Sequence, residues 1–119
     1  MTISQQYVHP NGHYASYVKA SGMIFTSVQL GIDQNNKENS VGEQLVVCFN
    51  KIQCILYESG SDLNKIIKVT IFTIEMENWT EIDKMYASIF GTHKPARGII
   101  GVTSLHLEAK IAVEVIATY

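Results

Sequence analysis

The chain has 119 residues, 46% hydrophobic and 17% charged, a composition that fits one compact domain spanning 1–119 and rules out a disordered tail. Nine basic residues against eleven acidic ones give a formal net charge of −2, which argues against broad, charge-driven nucleic-acid binding. No apolar run reaches the length of a membrane span. The opening Met1-Thr-Ile-Ser-Gln-Gln-Tyr7 lacks the features of a signal or transit peptide, so a cytoplasmic protein is expected.

In chain order, short strands are expected at Tyr17–Ala20 and Met23–Val28, rich in β-branched and aromatic residues. A first helix follows over Val41–Ser59. Leu45, Cys48, Phe49, Ile52, Ile55 and Leu56 form its apolar stripe, Ser40 and Glu43 have capping-box spacing, and Gly60 ends it. Cys48 and Cys54, six residues apart on this helix, point to different sides and cannot bridge; buried, reduced thiols are expected. A strand over Ile66–Ile74 leads to a second helix, Thr80–Phe90, with the stripe Ile82, Met85, Tyr86, Ile89 and Phe90, Asn78 or Thr80 as cap, and Gly91 as stop. Strands at Gly98–Thr103 and Lys110–Thr118 complete a β-β-α-β-α-β-β order, an α+β mixed sheet with two helices on one face.

Strand alternation sharpens this. Ile111, Val113, Val115 and Ala117 share one face of the last strand, and Lys110, Ala112, Glu114 and Ile116 the other. In the central strand, Ile67, Val69 and Ile71 oppose Lys68, Thr70, Phe72 and Ile74. Two helices cover only one face, which leaves Phe72, Ile74, Ile116 and Phe25 toward water. That patch is larger than monomers usually tolerate, and a homo-oligomer is expected.

Arg97 is the only arginine beside eight lysines. It is expected at a loop-to-strand junction between Pro95 and Gly98, suited to bidentate capture of a carboxylate or phosphate, or else to an ordinary salt bridge. His9 and His13 are four apart, but Pro10 and Gly12 prevent a helix from presenting them together, so no metal site is expected. Glu75, Glu77 and Glu81 read as solvated charges at the start of the second helix. Glu114, inside an apolar strand, needs a partner.

Gly22-Met-Ile-Phe-Thr-Ser-Val-Gln-Leu30, Lys68-Val-Thr-Ile-Phe72, Tyr86 before Phe90, Thr92-His-Lys-Pro-Ala-Arg97 and Lys110-Ile-Ala-Val-Glu-Val-Ile-Ala117 together resemble the Rid (YjgF, or endoribonuclease L-PSP) family over nearly the whole chain. The resemblance implies a chorismate-mutase-like homotrimer with active sites at subunit interfaces and no cofactor. The implied activity is hydrolysis of 2-aminoacrylate-type enamines and imines to 2-keto acids and ammonia. By the same resemblance Arg97 binds the substrate carboxylate. Tyr17 and Ser27 line the pocket, the backbone at Ile99 faces the ligand, and Asp83 stands where an asparagine is common. Thirteen residues separate Arg97 from Lys110, and this register places the family's water-positioning glutamate on Ala112, with Glu114 matching a second acid two residues, about 7 Å, along the same face.

Three functions follow for comparison. The first is a RidA-like deaminase, possessing Arg97 and using Glu114 or an ordered water in place of the acid absent at Ala112. The second is a non-catalytic regulator that binds 2-keto acids or similar small carboxylates. The third, an endoribonuclease or translation inhibitor, fits poorly with the acidic balance and the single arginine.

Overall fold

The computed structural model describes residues 9–119, so the Met1–Tyr7 opening lies outside the described residues. Six strands and two α-helices form one mixed sheet with a helical layer: β1 (Tyr17–Ala20), β2 (Met23–Thr26), β3 (Gln29–Leu30), α1 (Val41–Glu58), β4 (Ile66–Thr73), α2 (Trp79–Phe90), β5 (Ala96–Gly101) and β6 (Ile111–Thr118). The strand order is β1-β2-β6-β4-β5, with β3 also paired to β6. All pairings are antiparallel except β4 with β5, whose parallel register needs the crossover that α2 supplies.

The helical stripes account for the core. All six predicted stripe residues of α1 are fully buried. All but Ile55 join one core cluster with Ile82, Tyr86 and Phe90 of α2 and the inward residues Val69, Ile71, Val113 and Val115 of the sheet. Phe49 stands edge-on to both Tyr86 and Phe90, with ring centroids at 6.1 and 5.2 Å.

The capping box forms as expected. Ser40 Oγ accepts from the Glu43 N–H at 3.2 Å, and Glu43 Oε1 accepts from the Ser40 N–H at 2.8 Å. Ser40→Ala is expected to cost about 1 kcal/mol, read as a lowered urea midpoint at unchanged slope. Asn78 takes the cap position of α2 without a side-chain cap bond, and its amide nitrogen donates to Glu75 Oε1 at 2.7 Å.

Glu81 is an exposed charge at the start of α2, as expected, and it also bonds across to α1. Its Oε2 accepts from the Gly42 N–H of α1 at 2.8 Å, and a Cβ at Gly42 would sit 2.7 Å from that oxygen, so a larger residue there would push the Glu81 carboxylate aside. Bonds from Ser40 and the Gly42 N–H hold the Glu81 carboxyl below its usual pKa. Its stabilising effect is therefore present above the unfolded-state pKa and lost as pH falls through the lower folded value. The urea midpoints of wild type and Glu81→Gln are expected to differ at pH 7 and to converge in acid.

Three expectations about the strands need correction. Ile67 faces outward at 45% exposure, because a bulge between Ile66 and Lys68 inserts one extra residue and puts Ile66 inside instead. The second strand ends at Thr26. The chain turns at Ser27 and Val28 and re-enters the sheet as the two-residue β3, too short to carry a period. The fifth strand begins at Ala96, so Arg97 lies within β5, opposite Val69 in the parallel register, rather than at its entrance.

The face opposite the helices is apolar, as alternation implies. Phe25 pairs with Val18 and Ile116, and Phe72 pairs with Ala112 and Ile100. Val18, Phe25, Ile74 and Ile100 are exposed, while Phe72 and Ile116 are half-buried.

Candidate functional site

Two groups of predicted residues lie at opposite edges of the sheet. At one edge, β5 and α2 bring Arg97 and Asp83 together. Arg97 Nη1 donates to Asp83 Oδ1 at 2.9 Å, with side-chain exposures of 23% and 53%. The guanidinium lies over the Tyr86 ring at 4.8 Å and near the Trp79 ring at 5.6 Å. The β strand sets this geometry: Arg97 and Ile99 are two apart, so both point to the helical side, where Ile99 packs on the core. The helix sets the rest, because Asp83 and Tyr86 are i, i+3 on one face of α2.

Tyr86 was legible in the sequence only as a core residue, yet it belongs to this cluster. Its hydroxyl is buried and has no hydrogen-bond partner among the described residues. Burial pushes its pKa up to about 12 against the opposing pull of Arg97, so it remains a neutral donor.

At the other edge, β1 and β2 position Tyr17 and Ser27. Tyr17 pairs with Thr26, and the Ser27 N–H donates to the Ser16 carbonyl at 2.9 Å, which sets Ser27 beside the start of β1. The Ser27 hydroxyl donates to the Ala15 carbonyl at 2.6 Å. Tyr17 packs against the core, and burial together with the Glu58 carboxylate raises its pKa. Tyr17 also lines a cleft of about 470 Å³ with His9, Tyr14, Ser16 and Glu58. Tyr14, which the sequence reading did not single out, is 57% exposed there and offers the more accessible phenol.

His9 is held by Ser16 Oγ at 2.9 Å and Glu58 Oε2 at 2.9 Å, and no cluster of metal-ligating side chains occurs among the described residues. Cys48 is buried and Cys54 half-buried, without a disulfide; burial raises both thiol pKa values, that of Cys48 to about 12. Native protein is expected to react with iodoacetamide slowly at Cys54 and at Cys48 only after unfolding, as read by peptide mass.

Ala112 and Glu114 share the sheet face turned away from the helices, so the sheet itself separates Glu114 from Arg97 within one subunit. Ala112 is fully buried between Leu30 and Phe72, its cross-strand neighbours. Glu114 is half-buried and takes no hydrogen bond or ion pair from the described residues. The partner that its sequence context demands is not found among the described residues.

The chain has a chorismate-mutase-like fold that carries Arg97 and Asp83 at one sheet edge and Tyr17 and Ser27 at the other. The profile of the Endoribonuclease L-PSP family matches residues 4–119, and the chain belongs to that family, also called Rid or YjgF. It is 39% identical over 106 residues to "Protein MMF1, mitochondrial" of Saccharomyces cerevisiae, covering 87% of this chain and 73% of that protein. The crystal structure of yeast Mmf1 superposes with a TM-score of 0.84 at 32% identity, over 99% of this chain and 97% of the other. Reactive Intermediate Deaminase A, chloroplastic, of Arabidopsis thaliana is 34% identical over 110 residues, 90% of this chain and 59% of that protein. Escherichia coli TdcF, solved with bound serine, superposes with a TM-score of 0.84 at 25% identity, over 98% of this chain and 95% of the other. These relatives carry mitochondrial and chloroplastic labels, so the family does not settle on the expected cytoplasm. No helix among the described residues is long and apolar enough to cross a membrane.

Proposed function

We propose that this chain is a RidA-type deaminase that hydrolyses 2-aminoacrylate-type enamines and imines to 2-keto acids and ammonia. The observation that carries the reading is Arg97. It is the chain's single guanidinium, fixed between two rings, and one of its five donors is bonded to Asp83 while no described residue takes the others. A charge-assisted bidentate contact from those donors would hold a substrate carboxylate. The family membership and the Arabidopsis deaminase support the reaction class.

The working assembly is a homotrimer. The edges bearing Arg97 and Tyr17 are four strand spacings apart, about 19 Å, too far for one small ligand. Joining the β5 edge of one subunit to the β1 edge of the next unites them at an interface. The apolar face of Phe25, Phe72, Ile74, Ile100 and Ile116 supplies surface for that association. Light scattering at micromolar concentration is expected to give three times the 13.3 kDa chain mass, and a 13.3 kDa particle would contradict the assembly.

Chemically, Arg97 orients the substrate and draws electron density toward the carboxylate end. Water adds to the imine carbon as a carboxylate accepts its proton, and that proton returns to the nitrogen so that the C–N bond breaks, releasing ammonia and leaving the 2-keto acid. Glu114, which has no partner among the described residues, is the carboxylate we assign to that task, turned toward the ligand by the interface. The second reading is a 2-keto acid-binding regulator, favoured by one observation: a fully buried alanine at position 112. Keto-acid release from 2-aminoacrylate generated in situ separates the two. Acceleration by wild type supports the deaminase. Acceleration only by Ala112→Glu supports the binding protein, since a general acid or base is worth about 10²- to 10⁴-fold in rate.

A further inference from the structure

We propose that Ser16, His9 and Glu58 form a hydrogen-bonded nucleophile relay that takes acyl groups from small, neutral esters in the cleft beside β1. The relay contains none of the residues assigned to the deaminase reading, and the activity goes beyond it.

The chain of contacts is continuous. Ser16 Oγ lies 2.9 Å from His9 Nδ1, and the opposite ring nitrogen, Nε2, lies 2.9 and 3.1 Å from the two Glu58 oxygens. A carboxylate only accepts, so the neutral ring carries its hydrogen on Nε2, and Nδ1 accepts from the serine hydroxyl. That is the tautomer a general base for Ser16 requires. Either ring nitrogen can take a proton while the other is held, so a serine on Nδ1 is served as well as one on Nε2. The fold fixes the set: Ser16 directly precedes β1, Glu58 ends α1, and His9 reaches Glu58 across 49 residues of sequence. Glu58 is held from a second side, because the Tyr17 hydroxyl bonds to it as well.

The three side chains open onto one cleft of about 470 Å³, within the size range of small-ligand sites. The rest of its lining, Pro10, Tyr14, Ala15 and Tyr17, is apolar or phenolic, with no lysine or arginine. The Glu58 carboxylate therefore disfavours anionic esters, and the tyrosine rings suit an aryl leaving group. Ser16 itself is buried, so only a short acyl chain reaches its oxygen. Tyr14, exposed in the same cleft, is the O–H donor available to the developing oxyanion.

In the first step Ser16 Oγ bonds to the ester carbonyl carbon as its proton passes to His9 Nδ1. The C–O bond to the leaving alcohol then breaks, the alcohol takes that proton, and the acyl group stays on Ser16. Water adds to the acyl carbon by the same proton route. The serine ester bond breaks, and a carboxylic acid leaves with Ser16 reprotonated.

p-Nitrophenyl acetate tests this through two readouts, p-nitrophenol release and the peptide masses of the acetylated protein. Wild type is expected to release p-nitrophenol faster than buffer and to carry acetyl on Ser16. Ser16→Ala should lose both. His9→Gln should slow release by about 10²-fold or more. Glu58→Gln keeps an acceptor but removes the charge, and should slow release by at least about tenfold. Urea melts show which variants are folded. His9 is half-exposed, so its variant reads the relay even where loss of the buried Ser16 hydroxyl unfolds the chain. No acceleration by wild type, or acetyl found only away from Ser16, would overturn the proposal. So would release that survives in Ser16→Ala, or a folded His9→Gln that releases at the wild-type rate.

Discussion

Replacing Arg97 by alanine is expected to weaken binding of 2-ketobutyrate by about 10- to 100-fold, the equivalent of one charge-assisted bidentate contact. The fold should survive the change. Arg97 is partly exposed, and its link to Asp83 is a half-exposed ion pair of the kind worth about 0–1 kcal/mol. Contact with the Tyr86 and Trp79 rings adds about 0.5–1 kcal/mol. Calorimetry on the variant, paired with a urea melt, separates lost affinity from lost structure. Binding that persists within a factor of two in a folded Arg97→Ala variant would remove Arg97 from the site.

Phe49→Ala is expected to produce the largest stability loss, about 3–5 kcal/mol. Phe49 is fully buried in α1 and packs edge-on against two rings of α2, so truncation removes both its own burial and the seat of Tyr86 and Phe90. Because Tyr86 lies under Arg97, the damage should reach ligand affinity as well, unlike a surface truncation. An unfolding free energy from urea melts within about 0.5 kcal/mol of wild type would show that the helix-to-helix aromatic cluster is not what joins α2 to the core.

Both helices were legible because each carries an uninterrupted apolar stripe at helical spacing, and α1 also has its Ser40–Glu43 box. The strands were legible where alternation ran undisturbed, as over Ile111–Thr118. Ile67 was misplaced because one inserted residue reverses every side chain beyond it, and no local residue type announces the bulge. β3 was missed because two residues have no period.

The site was less legible than the fold. Arg97 stood out by rarity, and family resemblance pointed to Asp83, but their 2.9 Å contact depends on α2 packing over β5. Tyr86 shows the limit most clearly: its spacing fits a core stripe, and only three-dimensional packing puts its phenol under a guanidinium without a partner. Glu81 is exposed, as its sequence context implied, but its bond to Gly42 was invisible because that partner is 39 residues away. Sequence neighbours say little about contacts of that range.

In the proposed function Arg97 anchors a reactive, carboxylate-bearing substrate. The most direct measurement is ammonia release from 2-aminoacrylate generated in situ, with wild type and Arg97→Ala compared at equal concentration. Acceleration by wild type that is abolished in the folded Arg97→Ala variant is the predicted result. Equal acceleration by both proteins would contradict the account.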